Sequence, residues 1–204
     1  MLKKLLSAML SAALLMSAST SFAQPGVYLG AALGANQGSW SVRDNKGNNY
    51  GFGTRGAIGT LLAGYAFNAD HFYLGVEGFA TEASNKSGTK AISNTVTRYI
   101  RQTYSYGLGV LPGFIINDGA IVFARVGAVR SHFQVRDSSP SLTVSNAPTQ
   151  TGAQVGAGIQ MAISQGFDLR GEYVYSTYNS YSNTNGRFTP RDSQVNLGVI
   201  YRLG

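Results

Sequence analysis

Six charged residues sit among apolar or small neighbours: Glu77, Arg125, Asp168, Arg170, Glu172 and Arg202. Three are acids and three are arginines, so the set is neutral. Carboxylate and guanidinium pair through charge-assisted hydrogen bonds, and a buried charge needs such pairing because an isolated one is strongly unfavourable. Mutual neutralisation is the chemistry these residues suit. Catalysis is a poorer fit. His71 stands alone beside Asp70. Ser131 and His132 are adjacent, so in an extended strand they point to opposite faces and form no nucleophile–base pair. Gly107-x-Gly109 and Gly156-x-Gly158 precede no helical pattern, so neither reads as a phosphate loop. The 204 residues include no Cys and only 2 His, which excludes disulfides and a Cys- or His-rich metal centre. No catalytic residue, metal or cofactor is expected.

The elements that carry these charges alternate with period two, the mark of strands. Eight strands are predicted: Gly26–Asn36, Gly56–Phe67, Phe72–Ala83, Arg101–Ile116, Ala120–Gln134, Thr151–Ile163, Phe167–Tyr178 and Gln194–Leu203. Most are longer than an ordinary strand of about 5–6 residues and suit a tilted membrane strand of about 9–11. Three connections are tight and rich in turn residues: Asn68–His71, Asn117–Gly119 and Ser164–Gly166. The other four, Gln37–Arg55, Ser84–Ile100, Val135–Gln150 and Asn179–Ser193, are long and polar. Short turns at one end and long loops at the other are the pattern of an outer-membrane barrel.

Facing follows from the alternation. Phe167, Leu169, Tyr173 and Tyr175 share one side of the seventh strand, and Asp168, Arg170 and Glu172 share the other. Alternation alone does not say which side is the interior, because soluble and membrane barrels face oppositely. Strand length and the neutral charge set favour charges inward and apolar residues toward lipid. An eight-stranded barrel is filled by its own side chains. Glu77 and Glu172 are therefore expected to accept from Arg125, Arg170 and Arg202.

The first 23 residues read as a cleavable export signal. Lys3-Lys4 precedes an apolar run too short to span a bilayer, and small residues lead to a cleavage site between Ala23 and Gln24. The barrel domain is then 24–204. Its composition agrees: 26 Gly, 12 Tyr and 10 Phe, with charged residues at only 12%.

Several stretches together resemble the small outer-membrane β-barrel family of Gram-negative bacteria, the opacity-protein-like and OmpA-transmembrane-domain-like porins. They are Gly64-Tyr65-Ala66-Phe67-Asn68, Leu74-Gly75-Val76-Glu77-Gly78, Gly156-Ala157-Gly158-Ile159 and Leu169-Arg170-Gly171-Glu172-Tyr173. Asn196-x-Gly198-x-x-Tyr201-x-Leu203 is similar to the last-strand signal read by the barrel-assembly machinery. The resemblance implies an all-β, eight-stranded antiparallel up-and-down barrel, monomeric, in the outer membrane, with a structural or adhesin-like surface role. A narrow or gated porin and a lipid A-modifying enzyme are the alternatives.

Partners are expected at the outer end. Eleven Lys and Arg outside the strand interiors face four acids there, Asp44, Glu82, Asp137 and Asp192. Such cations suit the phosphates of lipopolysaccharide, or host and surface polyanions. Nothing calls for nucleic acid.

Overall fold

The computed structural model describes residues 25–43, 49–87, 90–93, 96–117, 119–138, 143–146, 149–183 and 186–203. Eight long strands form a closed barrel: β1 (Gly26–Arg43), β2 (Asn49–Ala69), β3 (Phe72–Ser87), β5 (Val96–Asn117), β6 (Ala120–Ser138), β8 (Thr149–Ser164), β9 (Phe167–Tyr178) and β11 (Gly186–Leu203). Three short strands, β4 (Lys90–Ser93), β7 (Thr143–Asn146) and β10 (Tyr181–Asn183), pair onto β5, β6 and β11 beyond the barrel wall. Each long strand pairs antiparallel with its chain neighbour. β1 closes the ring on β11, from Val27 opposite Leu203 to Arg43 opposite Arg187. Closure leaves no unpaired wall edge, which a strand surrounded by lipid requires.

The three tight turns fall where the Asn, Asp, Gly and Ser clusters placed them. Asp70 has φ of 51° and Gly166 of 73°, the left-handed conformation these residue types tolerate. The strands at the opposite end run further than expected. The ladder continues through much of all four predicted loops, so that β11 begins at Gly186 rather than Gln194 and β1 ends at Arg43 rather than Asn36. The physical reason is that each added antiparallel pair satisfies more backbone groups, and nothing in these polar segments stops the pairing.

The outer wall is apolar. Leu33, Phe72, Leu108, Val126, Leu197 and many similar residues are exposed there, with Leu197 at 60%. A contiguous belt of that kind is incompatible with water and fits lipid. Inside, the contents change along the axis. The half near the tight turns is packed by Tyr28, Leu62, Tyr73, Leu111, Ile121, Phe123 and Ile200. Glu77, Arg125 and Glu172 lie above that plug with a polar layer beyond them, whereas Asp168 and Arg202 lie nearer the tight-turn end. A charge-filled lumen was expected; its lower half is instead largely apolar and aromatic. Inward residues such as Tyr28 and Phe123 require space on the facing strands. A Cβ on Gly64 would come within 2.5 Å of the Tyr28 ring, and one on Gly158 within 2.5 Å of the Phe123 ring. Those two glycines are sockets for two rings of the plug.

Candidate functional site: the charged lumen

Glu77 stands on β3 at the centre of the barrel with 0% exposure. Parity puts it inward, because Val76 and Gly78 on either side take the opposite face. Arg125 from β6 binds one of its carboxylate oxygens through Nη2. Arg170 from β9 donates Nη1 to the other at 2.5 Å, and the Tyr28 hydroxyl donates to that same oxygen at 3.0 Å. Arg125 also reaches Glu172, Nε to Oε2 at 3.0 Å and Nη2 at 2.9 Å. Two carboxylates and two guanidiniums thus form one buried cluster.

A second group lies nearer the tight-turn end. Arg202 donates Nη2 to Asp168 Oδ1 at 2.6 Å. Gln160 donates to Asp168 Oδ2 at 2.6 Å, and its carbonyl accepts from Arg170 at 2.9 and 2.7 Å. Gln160 therefore joins the two groups. Arg202 does not reach Glu77 or Glu172, the acceptors expected for it. On β11 it stands two residues past Ile200, the register partner of Asp168, toward the tight turns, and so meets that carboxylate rather than the glutamates. Gln160, Tyr28 and the ring faces complete the site, neutral groups that a search for charges alone does not find. The Arg170 guanidinium lies 5.1 Å from the Phe123 ring centre and 5.4 Å from that of Tyr28, and Arg125 lies 5.7 Å from that of Phe79. Each ring face adds cation–π attraction where water is excluded.

The cluster leaves a cavity of about 30 Å³, lined also by Gln154, Gln194 and Asn196, enough for a few waters.

The last-strand residues divide by face. Asn196 and Gly198 point inward, and Gly198 backs onto Ala31 and Ala32 of β1 so closely that a Cβ would come within 2.7 Å. Tyr201 points outward, its ring 4.8 Å from that of Phe167, and Leu203 pairs with Val27 at the seam. Ala23 and Gln24 lie outside the described residues.

Ser131 and His132 separate as expected of adjacent strand residues. The Ser131 hydroxyl is buried against the Tyr178 hydroxyl at 2.9 Å. His132 stacks on Tyr104 on the outer wall, ring centres 5.0 Å apart, and bonds Thr149 at 3.0 Å. Tyr178, at the end of β9, is an interior residue. Asp192 corrects the expectation most. It was counted with the loop acids, but it is buried at 3% exposure and faces the lumen from β11. The signal was available: Arg202, Ile200, Gly198, Asn196 and Gln194 share its parity, and the strand simply continues. Among the described residues, no three His, Asp or Glu side chains gather as a metal cluster.

Comparison with known proteins agrees with this architecture. Residues 5–202 match the family described as "Outer membrane protein beta-barrel domain". Among solved structures, the outer membrane protease OmpT from Escherichia coli superposes with a TM-score of 0.52 at 8% identity, covering 90% of this chain and 99% of that one. Ail, the attachment invasion locus protein of Yersinia pestis, gives 0.49 at 21% identity, covering 88% and 99%. Neisserial surface protein A gives 0.48 at 18%, covering 87% and 97%. A search of the curated proteins finds no match.

Proposed function

The chain belongs to this family of outer-membrane β-barrels, and on that premise we propose that it is a non-enzymatic, monomeric surface barrel whose plugged lumen braces long basic hairpins for contact with phosphorylated polyanions. The observation that carries the reading is the four-member ion cluster around Glu77, stacked on an aromatic plug. A bore filled this way serves rigidity rather than solute passage. The outer rim supports the partner half. Arg55, Arg130 and Arg191 are exposed on the outward face, on the rim side of the apolar belt. Lipopolysaccharide phosphates in the adjacent leaflet present the complementary charge. The separation of Ser131 from His132 supports a role without hydrolysis.

The test has two arms. In planar bilayers the folded barrel should show no steady single-channel conductance. In detergent micelles it should bind lipopolysaccharide or heparin, more weakly as salt rises, with affinity reduced in an Arg130→Ala/Arg191→Ala double variant. Steady conductance would overturn the plugged reading. Unchanged polyanion affinity in the double variant would overturn the rim assignment.

A further inference from the structure

Four carboxylates face three guanidiniums in the described lumen. Glu77, Glu172 and Asp168 hold Arg125, Arg170 and Arg202. The fourth, Asp192, has no cationic partner among the described residues. Its two oxygens accept only from neutral amides, Asn36 Nδ2 at 3.3 Å and Gln194 Nε2 at 2.7 Å. A buried carboxylate left with a full negative charge and neutral donors alone is unfavourable.

The amides around it are arranged for something further. Asn36 spends its NH2 on Asp192 and leaves its carbonyl oxygen buried without a partner. Gln154 spends its NH2 on Ser176 Oγ at 3.2 Å and likewise leaves its carbonyl oxygen unpartnered. Both residues are more than nine-tenths buried. Gln154, Ser176 and Asp192 occupy one register row across β8, β9 and β11, and all three face the lumen. Gly38 stands opposite Asp192 on β1 and adds no side chain of its own to the row, and the neutral Thr54 of β2 follows it. Every unmet requirement here is for positive charge or a donor. None is for an acceptor.

We propose that this layer binds one monovalent alkali cation, sodium or potassium, held by the Asp192 carboxylate and the carbonyl oxygens of Asn36 and Gln154. Oxygen-only donors suit hard cations. One carboxylate with neutral oxygens balances a single charge, whereas protein-held divalent sites usually carry more carboxylates. Bound there, the ion brings the described lumen to neutrality.

The experiment is thermal unfolding of the full folded barrel in detergent micelles at pH 8. Sodium or potassium chloride replaces choline chloride at constant ionic strength, and sodium-23 NMR line width is read in parallel. The expected result is a melting temperature that rises and saturates with alkali cation, together with sodium line broadening. Asp192→Asn should abolish both responses while keeping the heat-modifiable gel mobility of a folded barrel. Asn36→Leu, which keeps the carboxylate, should shift the response to higher cation concentration. Equal melting in choline and alkali salts would overturn the proposal and leave water as the occupant. So would a response to calcium or magnesium alone, or an Asp192→Asn variant that still responds.

Discussion

At the scale of single residues, Glu77 is the group whose loss should matter most. It accepts from Arg125, Arg170 and Tyr28 while fully buried. Glu77→Ala leaves two guanidiniums facing each other in the plugged bore and should destabilise by about 3–5 kcal/mol, measured by urea unfolding in vesicles. A double-mutant cycle pairing Glu77→Ala with Arg170→Ala should show coupling well above that for Glu77 with Arg202, which binds Asp168 instead. Asp192 predicts a pH effect of opposite sign to ordinary acid denaturation. On β11 it lies beyond the outward apolar run, since Val195 is followed by Ser193 and Arg191 on the same face. Burial, offset in part by the Gln194 and Asn36 donors, pushes its carboxyl from 3.8 up to about 6. Asn36 and Gly38 on β1, Ser176 on β9 and Gln194 on β11 bring it no charge. A raised carboxyl binds its proton more tightly when folded. In alkali-free choline buffer its contribution is therefore full below pH 3.8 and is lost as pH rises to about 6, a swing of roughly 3 kcal/mol. Comparing wild type with Asp192→Asn across that window isolates it. A difference that does not change between pH 4 and 7 would contradict the assignment.

At the scale of the element, each strand has a lipid side and a lumen side, and the two respond differently. Leu197 stands midway along the outward run Tyr201, Val199, Leu197, Val195 of β11. Leu197→Arg should cost about 2–4 kcal/mol in a bilayer, whereas the same change at the Ser193 level should cost about 0–1. A flat profile along the strand would refute the placement of the belt. The last strand also carries Asn196, Gly198, Tyr201 and Leu203, for which we propose the assembly role. Tyr201→Asp should leave an exported but unfolded chain in the periplasm, seen as loss of the heat-modifiable band from the membrane fraction. Normal membrane levels would remove that role.

At the scale of the whole molecule, sequence and tertiary structure contribute differently. Strand number, the three tight turns and the shared parity of Glu77, Arg125, Asp168, Arg170, Glu172 and Arg202, opposite to the apolar residues, were legible in the chain. They follow from local rules: a two-residue period, and Asn, Asp, Gly and Ser where the backbone must reverse. Three things were decided only by closing the barrel. Which carboxylate meets which guanidinium depends on the stagger between strands far apart in sequence, so Arg202 met Asp168 and Gln160 linked the two groups. The lower bore became apolar because Tyr28 and Phe123 found sockets over Gly64 and Gly158, glycines on other strands. Asp192 became an interior residue because pairing with β1 and β9 drew the ladder past the point where composition alone suggested a loop. Parity is a property of neighbours along the chain, whereas the occupant across the bore is a property of shear and closure, and these exist only once the ring is complete.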